Sequence, residues 1–167
     1  MPQIFIIDEW LWSDLNGENG QEKQKEAVDF LEGLYNKCDK IAVARASKFQ
    51  EKEWDFSKYA TSDAVKRGIA RFYFKAIHFN SQKYEEIYIE EMEEPDINRL
   101  KPDDAYLIKL YRKTKAPIIT TDTKLKSILE SRNIPCELRD EFLKKIFIET
   151  LVLTYTKMNL ILPLVEE

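Results

Sequence analysis

At 167 residues the chain is long enough for one domain with a substantial core, and an apolar content of 44% excludes intrinsic disorder. Its two cysteines, Cys38 and Cys136, form no CxxC pair and have no histidine pair nearby, which excludes a zinc module; both are expected to be buried free thiols. The net charge of −4 argues against a protein that coats polyanions generally, but it suits an acidic pocket whose field a divalent cation would reverse.

Charged residues make up 34% of the chain, above the usual quarter or so, as in thermophilic proteins with dense surface ion pairing. Met1-Pro2-Gln3 leads into no basic, apolar targeting segment, and no apolar run reaches membrane-spanning length. The expectation is a cytoplasmic chain with no membrane association.

Ile4–Ile7 is an unbroken apolar run rich in β-branched residues, the pattern of a strand buried on both faces, and Asp8 follows it directly. Asn16-Gly17-Glu18-Asn19-Gly20 is a break. Gln21 to Lys37 carries Ala27, Phe30, Leu31, Leu34 and Tyr35 at helical spacing. Ile41–Ala46 reads as the second strand. Ser47 is placed to cap a helix through Phe49, Trp54 and Phe56. Thr61-Ser62-Asp63 opens a helix to about Phe79, with Val65, Ile69, Phe72, Tyr73 and Ala76 inward. Tyr84–Ile89 is a short alternating strand, and the acidic run from Glu85 to Glu94 is a solvated face. Pro102-Asp103-Asp104 starts another helix, since Pro and acids suit a first turn. Ala116–Thr121 is a strand ending at Asp122, Thr123–Arg132 a helix, Ile134–Leu138 a last strand, and Asp140 starts a final helix through Leu143, Phe147 and Leu151.

Strands alternating with helices imply a mostly parallel central sheet with helices on both faces, a three-layer α/β/α domain over residues 1–150. Residues 151–167 form an apolar extension that packs on the core or makes a dimer contact. Neither GxGxxG nor GxxxxGK[ST] occurs, so dinucleotide and P-loop chemistry are excluded.

In an open parallel sheet the ligand site lies beyond the carboxyl ends of the strands. Asp8 and Asp122 each follow a strand directly, and Asp104 begins the helix before the second of these. Carboxylates meeting there repel one another unless a cation or protons join them, and hard cations such as Mg²⁺ or Mn²⁺ take oxygen ligands. Each acid also has a structural role open to it. Asp8 is a turn former, Asp122 a helix cap, and Asp104 a first-turn acid complementing the dipole, with Asp103 as the cap beside it.

Three segments, Ile4-Phe5-Ile6-Ile7-Asp8, Asp103-Asp104-Ala105-Tyr106-Leu107-Ile108 and Pro117-Ile118-Ile119-Thr120-Thr121-Asp122-Thr123-Lys124-Leu125, resemble the PIN-domain family of metal-dependent nucleases in order and spacing. The resemblance covers roughly residues 1–145. It implies hydrolysis of phosphodiesters in RNA, with DNA as the alternative, by one or two Mg²⁺ or Mn²⁺ ions on Asp8, Asp104, Asp122 and a fourth acid. That acid follows the second strand, where Glu53 fits best and Glu51 is the alternative. The resemblance also implies a homodimer and an antitoxin-like protein partner.

Two departures bear on activity. Lys124 stands where many members have a further acid, and Glu9-Trp10 follows Asp8 where small or polar residues are usual. Glu9 is an extra ligand or, more simply, a surface charge. These differences leave open a catalytically silent binding module. His78, the single histidine, lies on an apolar helix and reads as a packing residue. Thr120 or Thr121 could bond a carboxylate. Arg45, Lys48, Lys52, Lys58, Lys66 and Arg67 could meet phosphates or simply form a solvated face.

Overall fold

The computed structural model describes residues 2–59, 63–96 and 98–161, and for Tyr59, Thr150 and residues 153–161 it describes the backbone alone. The elements run β1 (Ile4–Ile7), α1 (Trp10–Leu15), α2 (Gln21–Asn36), β2 (Lys40–Ala44), α3 (Lys48–Tyr59), α4 (Ala64–Tyr73), β3 (Tyr84–Ile87), α5 (Ala105–Thr114), β4 (Ile118–Thr120), α6 (Thr123–Ser131), β5 (Cys136–Leu138) and α7 (Arg139–Ile161). A π-turn at Phe74–His78 extends α4, and a 3₁₀ turn at Pro102–Asp104 leads into α5.

The five strands form one parallel sheet in the order β3-β2-β1-β4-β5. The expected three-layer α/β/α architecture is therefore the observed one. Parallel strands need crossovers, and right-handed crossovers put helices on opposite faces when the direction along the sheet reverses. The chain steps outward from β1 to β2 and β3, then returns through α5 to β4 on the other side of β1. The reversal point lies between β1 and β4, where loops diverge and a crevice opens. Both of these strands end in an aspartate-bearing loop.

Burial on both faces explains the composition of the strands. Phe5, Ile6, Ile7, Ile41, Val43, Ile118 and Ile119 are all core residues. An aromatic group locks α1 and α3 together, with the Trp12 ring 5.0 Å from Phe49, 5.7 Å from Phe56 and 5.0 Å from Tyr73.

Several local expectations differ from the structure. The six-residue helix α1 has no counterpart in the sequence reading; it has no side-chain cap and is held by burial of Trp10, Leu11 and Trp12. Asp63 caps α4 by accepting the Lys66 N–H (3.0 Å), whereas Thr61 and Ser62 lie outside the described residues. Val65, expected inward, is exposed, and so is Trp54. Cys136 is buried and its thiol is pushed up to about 12 by burial, but Cys38 is exposed. Helix α7 runs without a break through residue 150, and Ile148, Leu151 and Val152 on it are exposed. No described helix is long and apolar enough to cross a membrane.

Candidate active site

The loop after β1 is pinned to β4. The Asp8 N–H donates to the Ile119 carbonyl (3.0 Å), and so does the Trp10 indole N–H (3.0 Å). This fixes the Asp8 side chain at the carboxyl edge of the sheet. Its Oδ1 accepts the Glu9 N–H (2.7 Å), and its Oδ2 accepts the Thr120 hydroxyl (2.7 Å). The same Thr120 oxygen accepts the Asp122 N–H (3.1 Å), so one hydroxyl ties both aspartate loops together.

Asp122 has two roles at once. Its Oδ1 caps α6 by accepting the Lys124 N–H (2.8 Å) and Leu125 N–H (3.0 Å). Its Oδ2 meets the Lys101 ammonium at 3.3 Å. Asp104 ends the 3₁₀ turn and makes no capping bond, and neither acid of that turn caps α5, contrary to the role expected of Asp103.

Asp8, Asp104 and Asp122 come together around one cavity of about 260 Å³, whose lining also includes Glu9, Asn19 and Lys101. Glu53 does not line it. It is wholly buried on α3, where it accepts the Tyr73 hydroxyl (2.5 Å) and the Tyr84 hydroxyl (3.0 Å) and meets His78 Nδ1 at 2.9 Å. The structure does not bring Glu53, expected as the fourth ligand, together with Asp8, Asp104 and Asp122. The face it occupies is the core face, because Phe49 and Phe56 lie four residues before it and three after it and are buried. Glu51 is exposed and paired with Lys48 (3.1 Å). Glu9, expected as a surface charge, is the acid that joins the cavity, where Lys52 holds it at 2.7 Å. Lys101 immediately precedes Pro102-Asp103-Asp104, and a cation beside a run of acids is a signal that spacing could have supplied.

The electrostatics record crowding. Burial pushes the Asp8 carboxyl up, opposed by its bonds from Thr120 and the Glu9 N–H, while Glu9 and Asp122 push it further up. Burial and then the Asp8 charge push Asp104 up to about 6, with Lys101 opposing. Asp122 is held below the usual carboxylate range, first by the Leu125 N–H. The Tyr106 hydroxyl, buried beside this group, has no hydrogen-bond partner among the described residues, and the charges of Asp8, Glu9 and Asp104 act on it. Among the described residues no group of three or more His, Cys, Asp or Glu side chains stands ready-made to hold a metal ion.

The raised Asp104 value has a definite consequence for stability. The folded state binds this proton more tightly than the unfolded chain, whose value is 3.8. Its contribution is therefore fully present below about pH 4 and is lost as pH rises through about 6. Discounted for partial exposure, the loss is about 1–2 kcal/mol. Asp104→Asn is expected to raise the melting temperature by a few degrees at pH 8 and by nothing at pH 4. Thermal scans at both pH values check it; a variant less stable than wild type at pH 8 would contradict the crowding.

The chain matches no known family model and no curated protein.

Proposed function

We propose that the acid cavity binds Mg²⁺ or Mn²⁺ and that the protein hydrolyses phosphodiester bonds in RNA. The observation that carries this reading is the convergence of Asp8, Asp104 and Asp122 on one small cavity at the reversal point of a parallel sheet. The donor set fits a hard divalent cation: it is all oxygen, and burial first, with neighbouring acid charge added to it, disfavours the bare carboxylates of Asp8 and Asp104, which a bound cation would offset. Asp8, Asp104 and Asp122 would hold the ion, with Asp122 Oδ2 free once Lys101 turns away. When bound there, such an ion lowers the pKa of a water and neutralises charge on the phosphate.

The protein's own part is positioning and proton handling. Thr120 and the Glu9 N–H orient Asp8 while each of its oxygens keeps a lone pair free. The Asp104 carboxyl, pushed up to about 6 by burial and the Asp8 charge, would release its proton when a divalent cation joins it and so act as a ligand. The resemblance to PIN-domain nucleases agrees with these residues. A cytoplasmic location belongs to the same reading, as does a homodimer through the exposed Ile148, Leu151 and Val152 of α7. Sedimentation that finds only monomer at micromolar concentration would remove the dimer.

The test is RNA cleavage with Mg²⁺ or Mn²⁺ on structured and single-stranded substrates. Asp8→Asn/Asp122→Asn is expected to cut the rate about a hundredfold or more, as for removal of a preorganised electrostatic group. Equal cleavage by this variant and wild type would sink the proposal.

A second reading, a catalytically silent RNA- or protein-binding module, is favoured by two observations. Lys101 already neutralises Asp122, and Lys124 stands where a further acid would help bind a cation. Calorimetry separates the two: millimolar Mn²⁺ giving neither heat nor a thermal shift supports the silent module.

A further inference from the structure

A second cavity of about 450 Å³ opens on one side of the acid cavity and shares Lys101, Asp104, Thr121, Asp122 and Leu125 with it, so the two form one trough. Arg99, Lys101 and Lys124 line this second part. All three are exposed. Among the described residues, Arg99 and Lys124 make no side-chain ion pair or hydrogen bond, and Lys101 is paired with Asp122 alone.

The basic residues elsewhere near the site are committed. Lys48 is held by Glu51 and Lys52 by Glu9. A third cavity, about 490 Å³, adjoins the acid cavity through Asn19 and Thr121, but its cations are spent: Lys23 on Asp140, and Arg139 on Asp14, Glu26 and Asp140. Among the described residues lining these three cavities, uncommitted positive charge therefore lies on one side of the acids.

The Arg99 segment is also held in place. The Arg132 guanidinium donates to the carbonyls of Asp96 (2.5 Å) and Asn98 (2.9 Å), anchoring the stretch to the end of α6. Arg99 itself sits in the left-handed region at φ 66°, which a residue with a side chain adopts at a cost of about 1–2 kcal/mol. The Lys124 and Leu125 N–H groups at the start of α6 are already used by Asp122, which leaves the cationic side chains as the main groups for an anion here.

We infer that the Arg99/Lys101/Lys124 cavity is a subsite for a backbone phosphate of a single-stranded RNA, next to the bond lying in the acid cavity. The inference rests on the proposed nuclease reading for its substrate class. It adds direction: the strand runs from the acids toward Arg99 and Lys124, and its other side leaves past Asn19 with few electrostatic contacts. The recognition is of charge, through planar and point-like cations on phosphate oxygens, and carries no base sequence.

The test is binding of a fluorescent single-stranded RNA decamer to the full chain in EDTA, followed by anisotropy across a salt series. Arg99→Gln/Lys124→Gln is expected to lower the slope of log K against log salt by about 0.7, the value for one single-strand phosphate no longer neutralised. Lys25→Gln/Lys75→Gln, with the same charge change at exposed residues that line neither cavity, is expected to leave the slope as in wild type. Equal slopes for wild type and Arg99→Gln/Lys124→Gln overturn the subsite, and so does a wild type that binds no RNA. Because neither metal nor cleavage enters this measurement, the two proposals fail separately. Slopes as expected without any cleavage sink the nuclease and keep the subsite; cleavage with unchanged slopes does the reverse.

Discussion

Arg139→Ala is expected to lower stability by about 3–5 kcal/mol, the usual cost of leaving a buried charge without its partner. Asp14 and Arg139 are both 2% exposed, and the Arg139 Nε–H donates to Asp14 Oδ2 at 2.8 Å. The same guanidinium donates to Glu26 (2.5 Å), Asp140 (2.7 Å) and the Lys23 carbonyl (3.3 Å), and it lies over the Trp10 ring at 5.3 Å. It thus joins α1, α2 and α7 through one planar group. Without it Asp14 keeps one neutral donor, Asn19 (2.8 Å), inside the core. For a chain of this size the loss corresponds to a fall in melting temperature of about 6–20 °C. Arg139→Lys cannot reproduce the fork and should recover only part of it. Arg139→Met/Asp14→Leu, which removes both charges, should be much more stable than Arg139→Ala. Calorimetry of the three variants decides; Arg139→Ala melting with wild type would show that the pair is solvated in solution.

What the sequence made legible follows from the range of the forces involved. The runs Ile4–Ile7 and Ile118–Thr120 could be read as buried parallel strands because burial on both faces demands an unbroken apolar stretch. The positions of Asp8 and Asp122 followed, since a residue directly after a parallel strand has only the carboxyl edge to occupy. Helix α1 left no such trace. It is one and a half turns long, uncapped, and exists because Trp12 finds Phe49, Phe56 and Tyr73 from distant segments. Ion pairing was equally hidden. Nothing local says that Lys52 reaches Glu9 while Lys124 stays free, because those distances depend on how loops meet. Glu53 is different, for its signal was present. Spacing puts it on the Phe49–Phe56 face, while Trp54 lies about 100° around the helix and is exposed.

That placement gives Glu53 a stability role distinct from cleavage. Its carboxylate is the shared acceptor of two buried tyrosine hydroxyls, and burial together with that charge pushes both tyrosines up, Tyr73 being wholly enclosed. Glu53→Ala would open a cavity in the aromatic group and strand both hydroxyls and His78. A stranded buried donor costs about 1–3 kcal/mol, so a total of about 3–5 kcal/mol is expected after partial relaxation. Glu53→Gln keeps the shape and an acceptor oxygen but loses charge-assisted bonds, and should cost about 1–2 kcal/mol. Neither variant touches the acid cavity. At temperatures well below each variant's own unfolding, metal-dependent RNA cleavage should therefore stay within about twofold of wild type. Urea midpoints and cleavage rates, measured on the same preparations, separate the alternatives. A stable Glu53→Gln protein with abolished cleavage would return Glu53 to the metal site and require α3 to turn in solution. Loss of stability with retained rate is the outcome that three hydrogen-bonding partners and complete burial demand.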